Sequence, residues 1–175
     1  MSRLTDAVRR ATRLARWPAD AVGRRREQAS GRAARARRQD GPAGYPGDFE
    51  GPVHPVYAPD LDGEPDPGEV VWAWVPYEED HSRGKDRPVL VVGHDGPWLL
   101  GLMLTTRDHD TRPGRPGEVW LDLGAGAWDA QRRPSEVRLD RVVRLAPATV
   151  RREGAVLDLE RFERVAGSLR RGGGW

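Results

Sequence analysis

The chain contains no cysteine. That excludes disulfides and thiolate-bound metals, and it fits a reducing compartment. Lysine is almost absent too: Lys85 stands alone among 29 basic residues, the rest being arginine. No apolar run approaches the roughly 18–20 residues of a membrane-crossing helix. The N-terminus lacks the continuous apolar core of a secretory signal. From these absences we expect a soluble, cytoplasmic protein. Metal-ligand patterns are missing as well. His54, His81, His94 and His109 show no HxxxH or HxH spacing, and "RDHD" (107–110) reads as solvated loop charge, so no metal or cofactor is expected. GxSxG, P-loop and GxGxxG motifs are absent, which argues against the common hydrolase, NTPase and dinucleotide-binding classes.

What is present is unevenly distributed. The net charge of +2 hides a split: residues 1–40 hold twelve Arg against Asp6, Asp20, Glu27 and Asp40, whereas 41–175 hold 17 basic and 23 acidic residues. A basic arm on a mildly acidic body differs from a uniformly basic nucleic-acid binder. Within the arm, "LTDAVRRATRLARW" places Leu4, Val8, Ala11 and Leu14 or Ala15 at helical spacing until Pro18 interrupts it. The arginine-rich stretch that follows has too little apolar surface for a core. Residues 1–40 therefore read as a short helix or disordered arm. One use is a solvated tail, the other a contact to nucleic-acid phosphates or an anionic membrane surface. Residues 41–67 are rich in Pro, Gly and Asp and read as an extended linker. That linker is passive on one reading, while on the other "PVYAP" docks on a neighbouring surface.

From Gly68 to Arg171 the pattern is that of a compact β-rich domain. "EVVWAWVP" sets Trp72 and Trp74 on one face, with Val71, Ala73 and Val75 on the other. "RPVLVVG" suits a strand buried on both faces, "PWLLGLMLTT" is a third strand, and "EVWLDLG" buries Val119, Leu121 and Leu123 on one side. "SEVRLDRVVRL" alternates Val137, Leu139, Arg141, Val143 and Leu145. A closing helix carries Val156, Leu159, Phe162, Val165 or Ala166, and Leu169 on one stripe, ending at the glycines 172–174. Five short strands with a closing helix suggest a small, strongly curved sheet or barrel.

Two clusters at strand ends can carry chemistry. Pro88 pushes Arg87 towards an extended backbone at the start of its strand, so the guanidinium is presented at a defined place. Thr105 and Thr106 end the third strand, with Arg107 next. A guanidinium facing a hydroxyl across neighbouring strands makes a phosphate-sized site. His81 and His109 lie near these clusters in sequence, each as a surface histidine or an accessory catalytic group.

The array "PGEVVWAWVPYEEDHSRGKDRPVLVVG … LLGLMLTTRDHD … VRLDRVVRLAP" resembles the PemK/MazF toxins, endoribonucleases of type II toxin–antitoxin systems. Gly68-Glu69-Val70-Val71 is similar to the family's opening strand, Lys85-Asp86-Arg87-Pro88-Val89-Leu90-Val91 to its second element, and Leu104-Thr105-Thr106 to its third. The resemblance spans about 68–170. It implies an SH3-like β-barrel with a terminal helix, usually a homodimer, that cuts single-stranded RNA without metal and has a cognate antitoxin protein. It carries the family's arginine onto Arg87 and its threonine onto Thr105, with the loop at 77–86 gating the groove. Arg83, Lys85 and Arg107 are assigned to RNA attraction and Gly84 to loop mobility. "YEEDHSRGKD" departs from the family's S-E-Q-[GA]-G form, and Glu79 is offered for the glutamate of that loop. Two further readings stand beside the ribonuclease: a non-catalytic nucleic-acid- or protein-binding module of the same fold, and a toxin directed at DNA gyrase.

Overall fold

The computed structural model describes residues 44–60, 62–110 and 114–172, all within the compact unit Gln39–Trp175. The basic arm over 1–40 lies outside the described residues. The domain is a curled, wholly antiparallel sheet with one helix packed on it. Its strands are β1 (Glu69–Pro76), β2 (Gly84–Asp95), β3 (Trp98–Thr105), β4 (Trp120–Ala125), β5 (Pro134–Arg138), β6 (Val143–Leu145) and β7 (Arg152–Val156). A 3₁₀ turn, Pro147–Thr149, precedes β7, and α1 (Leu159–Gly172) closes the fold. The order across the sheet is β4-β5-β3-β2-β1-β7, with β6 also paired to β3. Register shifts at Val91/Gly93, Val70/Trp72 and Asp122/Gly124 break the ladders, and such bulges sharpen the curl. This is the small β-barrel type of architecture expected.

Two apolar clusters occupy the two faces. Val70, Leu90, Val92, Leu102 and Leu104 meet Phe162, Val165, Ala166 and Leu169 of α1. Val71, Ala73, Val75, Val89, Val91 and Met103 build the other cluster with Val143 and Leu145. The run "VLVV" (89–92) is fully buried, because successive residues feed opposite clusters. Among the described residues no helix is long and apolar enough to cross a membrane.

Several local expectations are corrected. Among the described residues there are seven strands rather than five. Val119 is 51% exposed, because β4 begins only at Trp120. "SEVRLDRVVRL" is two strands, since the chain bends after Arg138 and returns to β3 nearer that strand's start. Alternation runs through the bend, so the pattern conceals it: Val137, Leu139, Arg141, Val143 and Leu145 are all buried. Val156 and Leu159 are exposed, and Leu157 takes the buried place, because Val156 still pairs with Glu69 in β7. The Asp158 carboxylate accepts the backbone N–H of Arg161 at 3.0 Å and caps the helix one turn later than its apolar stripe suggests.

Residues 44–60 form no helix or strand, yet they lie against the domain. Phe49 bridges to Val142, the Val56 amide donates to the Val92 carbonyl at 3.0 Å, and the Tyr57 hydroxyl donates to the Leu157 carbonyl at 2.8 Å. Phe49, Val53 and Tyr57 pack on the helix-side core. "PVYAP" is thus docked.

Candidate functional site

A cleft of about 470 Å³ opens at the end of the sheet where β2 and β3 part. One wall is Pro76 to Glu79, from the end of β1 and the loop after it; the other is Gly114, Arg115 and Glu118, ahead of β4. Val75, Arg87, Met103, Arg107, Arg138 and Arg141 complete the lining. Pairing explains the assembly. β2 holds Arg87 opposite Ala73 of β1, and the β2–β3 ladder ends at Val89↔Met103. Alternation then makes Arg87 and Thr105 the next residues of the same face beyond that pair. Thr105 itself pairs with Glu136 of β5, which brings Glu136 and Arg138 to this face too.

The arginines of the cleft differ in their partners. Arg141, 6% exposed, is held by Asp48: Nε donates to Oδ2 at 2.6 Å and Nη2 to Oδ1 at 3.2 Å. The Tyr45 hydroxyl donates to Asp48 Oδ1 at 2.5 Å. Burial raises the Asp48 carboxyl's proton affinity, but its bonds from Arg141 and Tyr45 win and hold it below the usual carboxylate range. Arg138 faces three carboxylates, Asp140 at 2.6 Å, Glu78 at 3.0 Å and Glu118 at 3.7 Å. Burial pulls its guanidinium down, and Asp140 and Glu78 more than offset that. Arg138 thereby ties both walls together.

Arg87 is different. It is half-buried, and among the described residues its guanidinium has no hydrogen-bond or ion-pair partner. Burial shifts it below the usual arginine range; Tyr77 opposes that shift and the positive charge of Arg141 adds to it. A desolvated cation without a counter-ion is costly, so the site is electrostatically set for an anion.

The other sequence candidates scatter. Thr105 ends β3 half-buried, its Oγ1 accepting the Arg107 amide at 3.2 Å, and it is not among the lining residues. Thr106 is exposed. Arg107 and Glu79 line the cleft, Glu79 reaching Arg115 at 3.8 Å. Arg83 lies exposed with its guanidinium 5.9 Å from the Tyr77 ring centre. Lys85 is exposed, and it belongs to β2 rather than to the loop, opposite Val75. The loop expected to gate the groove therefore spans only 77–83, since ladder pairs Trp74↔Asp86 and Pro76↔Gly84 take up the rest. Gly84 serves close approach rather than mobility: a Cβ there would lie 2.4 Å from the Val75 carbonyl oxygen and 2.5 Å from the Trp74 ring. His81 is exposed and meets Tyr45 edge-on at 5.0 Å. His109 is no surface side chain; it is 9% exposed, with Nδ1 2.5 Å from Glu136 Oε2 and its ring stacked on Trp120 at 3.9 Å.

Sequence reasoning passed over Arg138, Arg141, Glu78 and Glu118. The signal for Arg141 was its place in the buried phase of "SEVRLDRVVRL", where an arginine must bring a partner inside. Its partner Asp48 lies 93 residues away. Among the described residues no three His, Asp or Glu side chains converge to hold a metal ion.

Comparison with known proteins adds one match. A family model described as PemK-like, MazF-like toxin of type II toxin–antitoxin system matches residues 66–172. No curated protein matches the chain.

Proposed function

The chain belongs to the PemK-like, MazF-like toxins of type II toxin–antitoxin systems, and from that premise we propose that it is a metal-independent endoribonuclease cutting single-stranded RNA in the cytoplasm. Membership implies an antitoxin partner; a homodimer is part of the proposal. The observation that carries it is the half-buried Arg87 guanidinium, without an anionic partner among the described residues, in a cleft that also presents Arg107 and Arg115.

In this reading the ribose 2′-OH attacks the adjacent phosphate, and Arg87 neutralises the charge that builds up on the phosphorane oxygens. The Thr105 hydroxyl already accepts the Arg107 amide, so its hydrogen remains for a phosphate oxygen. Arg107 contacts the flanking backbone, while Arg83 and Lys85 attract the strand from outside. A guanidinium titrates too high to exchange protons readily near neutrality, so charge stabilisation is the role given to Arg87.

The test is cleavage of a long RNA in EDTA by wild type, Arg87→Ala and Thr105→Ala. We expect 2′,3′-cyclic phosphate ends from wild type and a loss of at least about a hundredfold for Arg87→Ala, the usual cost of one preorganised charge-stabilising donor. Folded wild type that binds RNA without cutting it points instead to the binding module. Inhibition of gyrase supercoiling with RNA left intact points to the gyrase-directed toxin.

A further inference from the structure

The cleft as described has charge stabilisers but no evident proton acceptor. Glu78 and Glu118 are engaged by Arg138, and Glu79 lies 61% exposed beside Arg115. Attack by a 2′-OH needs a group that takes its proton, and imidazole is the side chain best matched to neutral pH.

His109 is placed for that. Its backbone amide donates to Glu136 at 3.1 and 3.3 Å, and Nδ1 lies 2.5 Å from Glu136 Oε2. A carboxylate accepts, so in the neutral ring Nδ1 carries the hydrogen and Nε2 keeps its lone pair. In the imidazole ring the Cδ2–Nε2 bond lies opposite Nδ1, so it points away from Glu136. That edge faces Gly114: a Cβ built on Gly114 would lie 3.3 Å from His109 Cδ2. Gly114 lines the cleft, and the same built Cβ would lie 1.9 Å from Glu118 Oε2, so the imidazole edge and the Glu118 carboxylate meet at this wall. Glu136 is also the cross-strand partner of Thr105, which ties the pair to the proposed phosphate site. Among the described residues, the charged groups near His109 are Glu136 from β5, Glu118 from the wall before β4, and Arg107, Asp108 and Asp110 on its own turn.

We propose, resting on the ribonuclease reading, that His109 held by Glu136 is the proton acceptor of the reaction. The 2′-OH proton passes through one water to Nε2 as the O2′–P bond forms. The P–O5′ bond breaks, and the 5′ oxygen leaves with a proton from solvent. The products are a 2′,3′-cyclic phosphate and a 5′-hydroxyl, and the imidazolium returns its proton to water.

The experiment measures cleavage against pH for wild type, His109→Gln, Glu136→Gln and Glu79→Gln, with binding of a 2′-O-methyl RNA as a control on the fold. Wild type should speed up as pH rises through the titration of an imidazole. His109→Gln should bind the methylated RNA normally, cleave about 10²–10⁴-fold more slowly, and lose that rise. Glu136→Gln should also slow cleavage while leaving binding of the methylated RNA intact, because the imidazole loses the group that orients it. Cleavage by His109→Gln within about threefold of wild type overturns the proposal, as does loss of the rise in Glu79→Gln instead. If Arg87→Ala is dead while His109→Gln is unchanged, only the proton acceptor is wrong. If folded wild type cuts no RNA, the ribonuclease reading falls and takes this with it.

Discussion

Arg87 and Arg141 line one cleft and repel each other across it, yet the domain treats them in opposite ways. Arg141 is given Asp48, which is itself hydrogen-bonded by Tyr45; Arg87 is left facing the opening. A buried pair that loses one member strands the other charge, so Asp48 matters chiefly for what its removal leaves behind. Asp48→Asn should destabilise the domain at pH 7 by about 2 kcal/mol, a typical value for charge-assisted hydrogen bonds. The pH dependence follows from the direction of the shift. A carboxyl held below its ordinary 3.8 contributes its full stabilisation above that value, and the contribution fades as pH falls through the lowered one. Urea unfolding of wild type and Asp48→Asn should therefore differ at pH 7, and the difference should begin to shrink only as pH falls below about 3.8. A gap that widens towards acid would contradict the assignment.

The elements nearest the cleft are set by close contacts that a sequence pattern shows only indirectly. Charge runs straight into apolar strand at "RGKDRPVLVVG" because β2 begins at Gly84, before its apolar part, and carries Lys85, Asp86 and Arg87 within the ladder. Asp86 pairs with Arg151, whereas Arg87 takes up the cleft face beside Val89. Gly84 permits the approach of β1 and β2 here. Gly84→Ala should cost about 1–3 kcal/mol, the usual range for forced overpacking, because one of its obstacles is backbone. Denaturant midpoints read this directly, and an unchanged midpoint would mean the loop can withdraw. β5 and β6 illustrate the opposite difficulty. Their shared alternation suggests one strand, while Arg138 at the bend clasps Glu78 and Glu118 from the two walls.

At the scale of the whole molecule, the basic arm and the acidic remainder suit division of labour between holding a polyanion and cutting it. We propose that residues 1–40 tether the protein on RNA. Deleting them should weaken binding of the methylated RNA and flatten its dependence on salt, with cleavage of saturating RNA retained. Unchanged affinity and salt slope would dismiss the tether. How much of this protein its sequence settled follows from the range of the forces involved. Alternation along β1, the doubly buried run of β2, the stripe Phe162–Val165–Ala166–Leu169 and the candidacy of Arg87 all rest on neighbours within a few residues, and they were legible. The docking of Tyr57 under Leu157, Asp48 on Arg141, and Glu136 behind both Thr105 and His109 join residues far apart in the chain. Local spacing holds no trace of such pairings. Only the curled sheet decides them, because burying an arginine or a histidine requires a partner, and the fold chooses which distant segment supplies it.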